Sequence, residues 1–156
     1  MQKKLLNPYG LSSSSSKTPS GMRPSDELKL VTLLRKQYIP DLTPVKPDNS
    51  HYDAISFAHN TIVELKCRRR HYQRFMIEKV RYERLMTIAL SEQMGCLYIV
   101  SSPSGVWSFD LMAMAEPEWS KRSLPKKSTW SKGNKMIEKE VGYWDVNDGL
   151  NITHLL

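Results

Sequence analysis

The sequence has few cysteines and no long apolar run. Its 156 residues include only Cys67 and Cys96, which cannot make a disulfide framework and belong to no zinc-ligand pattern. This usage is typical of a reducing, intracellular environment. No apolar segment approaches the roughly 20 residues that cross a bilayer, and residues 1–6 are too short for a signal peptide. We therefore expect a cytoplasmic protein with no membrane partner.

Acidic residues are also scarce relative to basic ones. The chain has 16 Asp and Glu against 23 Lys and Arg, a net charge of +7 and a pI near 9.4. A small basic domain usually binds a polyanion, although a basic solvated surface gives the same balance. Residues 66–84 hold eight basic and two acidic residues, so this segment alone carries +6. Its arginines are suited to phosphate contacts, although a helical pair such as Glu78 with Arg81 would neutralise part of the charge.

The chain divides into a flexible N-terminal arm, residues 1–23, which is rich in Ser, and a single domain, residues 24–156. Apolar periodicity and turn residues within this domain predict alternating helices and strands. The predicted elements are a helix capped by Ser25 that ends near Tyr38, a hairpin of Tyr52–Phe57 and Thr61–Cys67, a helix over Tyr72–Met94 that Gly95 terminates, a hairpin of Cys96–Ser101 and Val106–Met112, a loop over Glu116–Gly133, and a last strand over Met136–Val146.

Three polar residues of the first predicted hairpin carry the candidate chemistry. Alternation along the second strand places Ile62, Glu64 and Lys66 on one face and Val63 and Leu65 on the other. Antiparallel pairing brings the start of the first strand, where Asp53 lies, beside the end of the second. Two carboxylates at this distance repel each other unless a proton or a cation lies between them.

A divalent cation would remove the repulsion between Asp53 and Glu64. Magnesium prefers oxygen ligands and can polarise a phosphodiester and activate a bound water. Lys66 would then stabilise charge on the phosphate or position the water. The alternative is an ordinary solvent-exposed strand face with a Glu–Lys charge pair, which the three residues alone fit equally well.

The spacing of Asp53 and Glu64-Leu65-Lys66 resembles that of the PD-(D/E)xK nuclease superfamily. The resemblance covers about residues 25–112, and Tyr52 replaces the proline that gives the motif its name. It implies an α/β fold with a restriction-endonuclease-like core: a helix, a hairpin carrying the acids, a crossover helix and a further strand. The expected central mixed sheet has about four to five strands flanked by helices.

The resemblance also implies roles for individual residues. Asp53, Glu64 and the carbonyl of Leu65 would bind Mg²⁺, for which Mn²⁺ would substitute, and Lys66 would assist catalysis. Glu27 is the candidate acid on the first helix. The candidate nucleic-acid contacts include residues of the crossover helix and of the basic segment before it: Arg68, Arg69, Arg70, His71, Arg74, Lys79 and Tyr82. The four tryptophans, Trp107, Trp119, Trp130 and Trp144, are candidates for base stacking, with a core position as the alternative for Trp107.

The function that these residues favour is a Mg²⁺-dependent endonuclease acting on DNA, with RNA less favoured. Duplex cutting would favour a homodimer. The small size and basic arm also resemble nucleases encoded by phages, which would place the protein in a bacterial or phage-infected host cell. The alternatives are a non-catalytic nucleic-acid-binding protein and a structural phage protein on the same fold.

Overall fold

The computed structural model describes residues 27–45, 51–126 and 135–156. The predicted N-cap Ser25, the predicted arm of residues 1–23 and Trp130 lie outside the described residues. The elements, in chain order, are α1 (Glu27–Gln37), β1 (Thr43–Pro44), β2 (Ala54–Ser56), β3 (Thr61–Cys67), β4 (Arg74–Glu78), α2 (Lys79–Ser91), β5 (Gly95–Ser102), β6 (Gly105–Asp110), β7 (Ser120–Pro125), β8 (Met136–Asp145), a 3₁₀ turn (Val146–Asp148), β9 (Leu150–Asn151) and a second 3₁₀ turn (Thr153–Leu155).

The central sheet is mixed. Within the described residues it has six strands in the order β1-β2-β3-β5-β6-β9. β3 and β5 are parallel, with α2 in the connection between them, and the other neighbours are antiparallel. The α/β class, the first hairpin and the second hairpin are therefore confirmed. The sheet exceeds the predicted four to five strands because β1 and β9 are edge pairings of two residues each, too short to leave a periodic pattern.

The two faces of this sheet pack against different helices. Alternation along β3 sends Ile62 into a cluster with α2 and Val63 and Leu65 into a cluster with α1. The predicted division of β3 side chains between two faces is therefore confirmed. β5 is buried on both faces, which explains why Cys96–Val100 is a continuous apolar run rather than an alternating one. No helix among the described residues is long and apolar enough to cross a membrane.

The helix predicted over Tyr72–Met94 is wrong at both ends. Its first part is β4, in which Phe75 and Ile77 are buried and alternate with more exposed neighbours. β4 pairs with β8, about 70 residues later, so the partner that makes it a strand is invisible to a local pattern. The helix ends at Ser91, where Gln93 takes a left-handed φ of 53°, and Gly95 begins β5 instead of terminating α2.

A second sheet is formed by β4, β8 and β7 in the order β4-β8-β7 among the described residues. The loop predicted over Glu116–Gly133 is therefore corrected over Ser120–Pro125, which pairs antiparallel with β8. β7 has no buried residue, so it lacks the apolar alternation that identifies a strand. The last strand, predicted over Met136–Val146, is confirmed as β8. β4 and β8 enclose one side of the cavity described next.

Candidate active site

The β2–β3 hairpin brings Asp53 and Glu64 together. Ala54 is paired with Val63 at the end of the ladder, so Asp53, just before Ala54, lies beside Glu64, just after Val63. The Asp53 N–H donates to the Val63 carbonyl at 3.0 Å, and the Leu65 N–H donates to Oδ2 of Asp53 at 2.8 Å. The Asp53 carboxylate is thus attached to the backbone of β3 beside Glu64. A strand residue directs its N–H and C=O to the same side, so the Leu65 carbonyl is directed to the same edge of β3 as the N–H that binds Asp53.

Glu64 has an unusual environment for a carboxyl group. It is only 6% exposed, and its Oε2 has no hydrogen-bond partner among the described residues. Burial, and secondarily the charge of Asp53, raise the pKa of Glu64 to about 8, while Arg81 and Lys66 oppose the rise. With this pKa and no metal cation bound, Glu64 therefore retains its proton near neutral pH.

Arg81 on α2 contacts this pair. Its Nε lies 3.2 Å from Oε1 of Glu64, and its Nη1 donates to the His51 carbonyl at 3.4 Å. In the sequence, Arg81 belongs to the basic segment, and its predicted partner is Glu78. Glu78 instead ends β4 and binds Lys139 at 3.0 Å, which frees Arg81 for Glu64. Arg81 is the third residue after β4, so its position depends on the boundary between β4 and α2, which no local pattern marks.

A cavity of about 400 Å³ opens beside Glu64. Its charged lining, among the described residues, is mainly basic and includes two acids: Glu64, Lys66, Arg68, Glu78, Arg81, Lys126 and Lys139. Lys66 is half-buried, and no described acidic residue lies within 4.0 Å of its ammonium group. The cavity therefore combines one buried carboxyl with an excess of positive charge, which suits a phosphate group.

The donor set fits one divalent ion of the magnesium type. The two carboxyls, including the unpartnered Oε2 of Glu64, and the Leu65 carbonyl offer hard oxygen ligands, and Mg²⁺ commonly completes its shell with water and substrate phosphate. A cation there would also stabilise the ionised form of Glu64. The described residues contain no cluster of three or more His, Cys, Asp or Glu that could hold a metal.

Glu27 is not brought to this site. It is exposed at the start of α1, and the buried residues of that helix pack with Val63 and Leu65, on the face of β3 opposite Glu64. Within the described part of the chain it therefore joins no metal-binding cluster with Asp53 and Glu64. The expectation rested on the position of Glu27 in the sequence, which does not determine how the helix start lies over the sheet edge.

Most of the candidate nucleic-acid contacts lie at the surface. Arg69, Arg70, His71 and Arg74 are exposed. Arg68 is half-buried, and its Nη2 donates to the Met76 carbonyl at 3.2 Å. These residues follow the end of β3 and continue into β4, so they extend outward from the cavity. His71 is in addition held by Ser102, whose hydroxyl lies 3.0 Å from Nδ1.

The two candidates from α2 behave differently. Lys79 pairs with Glu140 at 3.3 Å and remains partly exposed. Tyr82 was predicted to contact nucleic acid, but its side chain belongs to the core. It is 7% exposed and packs against Trp119 and Trp144, with ring centres 5.4 and 6.0 Å away. Trp107 and Trp144 are also buried and cannot stack on bases, because the second sheet covers this side of the core.

In sequence, the chain matches no known family model and no curated protein. In structure, it is similar to Hjc, a Holliday junction resolvase from the archaeal hyperthermophile Archaeoglobus fulgidus. The two chains share 15% sequence identity with a TM-score of 0.48, and the similarity covers 78% of this chain and 86% of that chain. Values at this level assign neither a family nor an activity to this protein.

Proposed function

We propose that this protein is a metal-dependent nuclease that cuts DNA internally. One observation carries the proposal: Glu64 is buried beside Asp53 with an unpartnered oxygen, at the edge of a cavity whose charged lining is mainly basic. A buried carboxyl beside a second carboxyl is costly, because the ionised group loses its hydration and is repelled by its neighbour. The order α1, β2, β3, α2, β5 agrees with the core that the resemblance to PD-(D/E)xK nucleases implies.

Each residue of the site would have a separate task. Asp53, Glu64 and the Leu65 carbonyl would hold Mg²⁺, or Mn²⁺ in its place. The bound ion would supply Lewis-acid polarisation of the phosphodiester and a water of lowered pKa. Lys66 would hold a non-bridging phosphate oxygen and stabilise the charge that develops on it. Arg81 would limit the repulsion between the two carboxyls before the ion binds.

DNA is the substrate that the surface charge supports. Arg69, Arg70 and Arg74 are exposed next to the cavity, where they would contact backbone phosphates on either side of the cut. Binding of this kind does not read sequence, so we expect affinity to fall steeply with salt. A homodimer would allow both strands of a duplex to be cut, one at each site.

The second candidate is a non-catalytic nucleic-acid-binding protein, including a structural phage protein. The Arg81–Glu64 ion pair favours it, since Arg81 already supplies positive charge to the carboxyl that a metal would bind. The two functions differ in the need for metal. Phosphate binding by the basic surface requires none, whereas hydrolysis requires an ion between Asp53 and Glu64.

The deciding experiment is a cleavage assay on supercoiled, linear and branched DNA, and on RNA, with Mg²⁺ or Mn²⁺. Wild type is compared with Glu64→Gln and Lys66→Ala, and Glu83→Gln serves as the matched control because it removes one exposed carboxyl from α2. We expect the two site variants to lose activity by at least about a hundredfold and the control to retain it. Activity unaffected by both substitutions would exclude this site, and binding without cleavage in either metal would favour the non-catalytic protein.

A further inference from the structure

A second groove lies next to the site cavity and has a different character. Its volume is about 640 Å³, within the range of cavities that hold small organic ligands. It extends from the end of β3 across the start of β4 to β8. The residues that determine its chemistry are four arginines and two tyrosines: Arg68, Arg69, Arg70, Arg74, Tyr72 and Tyr143. We call it the arginine groove.

The arginine groove is continuous with the site cavity. Arg68 and Met76 line both, and the hydrogen bond from Arg68 Nη2 to the Met76 carbonyl fixes the guanidinium at the junction. The groove begins at Cys67, three residues along β3 from Glu64, which corresponds to about 10 Å. A nucleic-acid strand with a phosphate at Glu64 would reach the groove within about three nucleotides, at about 3.4 Å of rise each.

The charge of the groove has one sign. No acidic residue is among its described lining residues, so its four arginines are not neutralised from within. Arginine pairs with phosphate through two parallel hydrogen bonds, and four guanidinium groups along one groove favour a ligand that carries several phosphates in succession. This observation selects a nucleic-acid strand but does not distinguish a duplex from unpaired nucleotides.

The aromatic residues make that distinction. Tyr72 is 51% exposed, and the guanidinium of Arg74 lies 4.8 Å from the ring centre of Tyr143. Rings and stacked guanidinium planes are surfaces on which nucleic-acid bases stack. The bases inside a continuous duplex already stack on one another, so only an unpaired base can reach these planes.

We propose that the arginine groove is a subsite for unpaired nucleotides next to the phosphate that Lys66 would hold beside Glu64. The preferred DNA would therefore have a single-stranded tail or an unpaired branch rather than a continuous duplex. The inference depends on the proposed function for the placement of DNA at the cavity. The tyrosine contact adds affinity for unpaired bases, and the arginines add affinity for any phosphate backbone.

The test measures binding alone, with the full chain in EDTA so that no cleavage occurs. Fluorescence anisotropy compares a short blunt DNA duplex with the same duplex carrying an unpaired DNA tail. Wild type should bind the tailed duplex about tenfold more tightly, the gain that stacking of one base provides. Tyr72→Leu should abolish this difference without weakening the blunt duplex, and Tyr72→Phe should retain it.

Phe57→Leu is the matched control, because Phe57 is an exposed aromatic residue, 74% accessible, at the opposite end of β3. It should leave both affinities unchanged. Equal binding of the two DNAs by wild type, or equal weakening of both by Tyr72→Leu, would overturn the inference. A preference for the tail in a protein that never cleaves would support the groove and reject the proposed nuclease function, so the two failures are distinguishable.

Discussion

The buried carboxyl of Glu64 makes the stability of the protein depend on pH and on metal in a defined direction. Its pKa in the folded protein is about 8 against an ordinary value of 4.5, chiefly because burial disfavours the charged form. Between these values the folded protein retains a proton that the unfolded chain has lost. Protonation of Glu64 in the folded protein therefore contributes to the free energy of unfolding. This contribution is fully present below about pH 4.5 and is lost as the pH rises through about 8.

The magnitude follows from the interval between the two pKa values. At 1.36 kcal/mol per pKa unit, the unfolding free energy falls by about 5 kcal/mol between acidic pH and the pH at which Glu64 is ionised in the folded protein. About 3 kcal/mol of this loss has occurred at pH 7. Glu64→Gln removes the ionisable group while it preserves the size of the side chain. The variant should thus become more stable relative to wild type as the pH rises.

The assay is urea unfolding of both proteins in EDTA between about pH 5 and about pH 9. The difference in unfolding free energy should grow by several kcal/mol across this range, and Glu83→Gln, which changes an exposed carboxyl, should follow wild type closely. Mg²⁺ at 100 times its Kd should then restore about 2.7 kcal/mol to wild type and little to Glu64→Gln. Parallel pH profiles, or equal stabilisation of both proteins by Mg²⁺, would refute this account of the site.

Three further substitutions test other parts of the structure. Arg81→Gln should bind Mg²⁺ about tenfold more tightly by calorimetry. The substitution removes the repulsion between the guanidinium and the doubly charged ion, about 1.4 kcal/mol at about 6 Å in a water-like dielectric. Weaker binding would show that Arg81 supports the metal ligands instead. Gly142→Ala should lower the unfolding free energy by about 1–3 kcal/mol, since the added Cβ would lie 2.6 Å from the Pro117 ring; an unchanged Tm would contradict the close packing there. Leu85→Ala, at a fully buried position of α2, should cost about 2–5 kcal/mol in urea unfolding. Leu90→Ala, at a 63% exposed position of the same helix, should cost less than about 0.5 kcal/mol, and equal losses would contradict the orientation of α2.

The sequence alone was sufficient to predict the first hairpin and to predict which side chains of β3 share a face. Alternation with a period of two is a local property, so Glu64 and Lys66 could be assigned to one face before any partner strand was known. The convergence of Asp53 with Glu64 followed from antiparallel pairing across a short turn. The net charge of the segment after β3 is also independent of how that segment folds.

The tertiary structure decided everything that depends on contacts between distant parts of the chain. β4 is a strand because β8 pairs with it, and this shift of the helix start places Arg81 on Glu64 and buries Tyr82. The arginine groove likewise needs Tyr143 from β8 beside the arginines that follow β3. The face of β3 on which Glu64 and Lys66 lie and the charge of the basic segment are thus determined by local sequence. The burial and pKa of Glu64 are not, because they result from packing of elements that lie up to about 70 residues apart in the sequence.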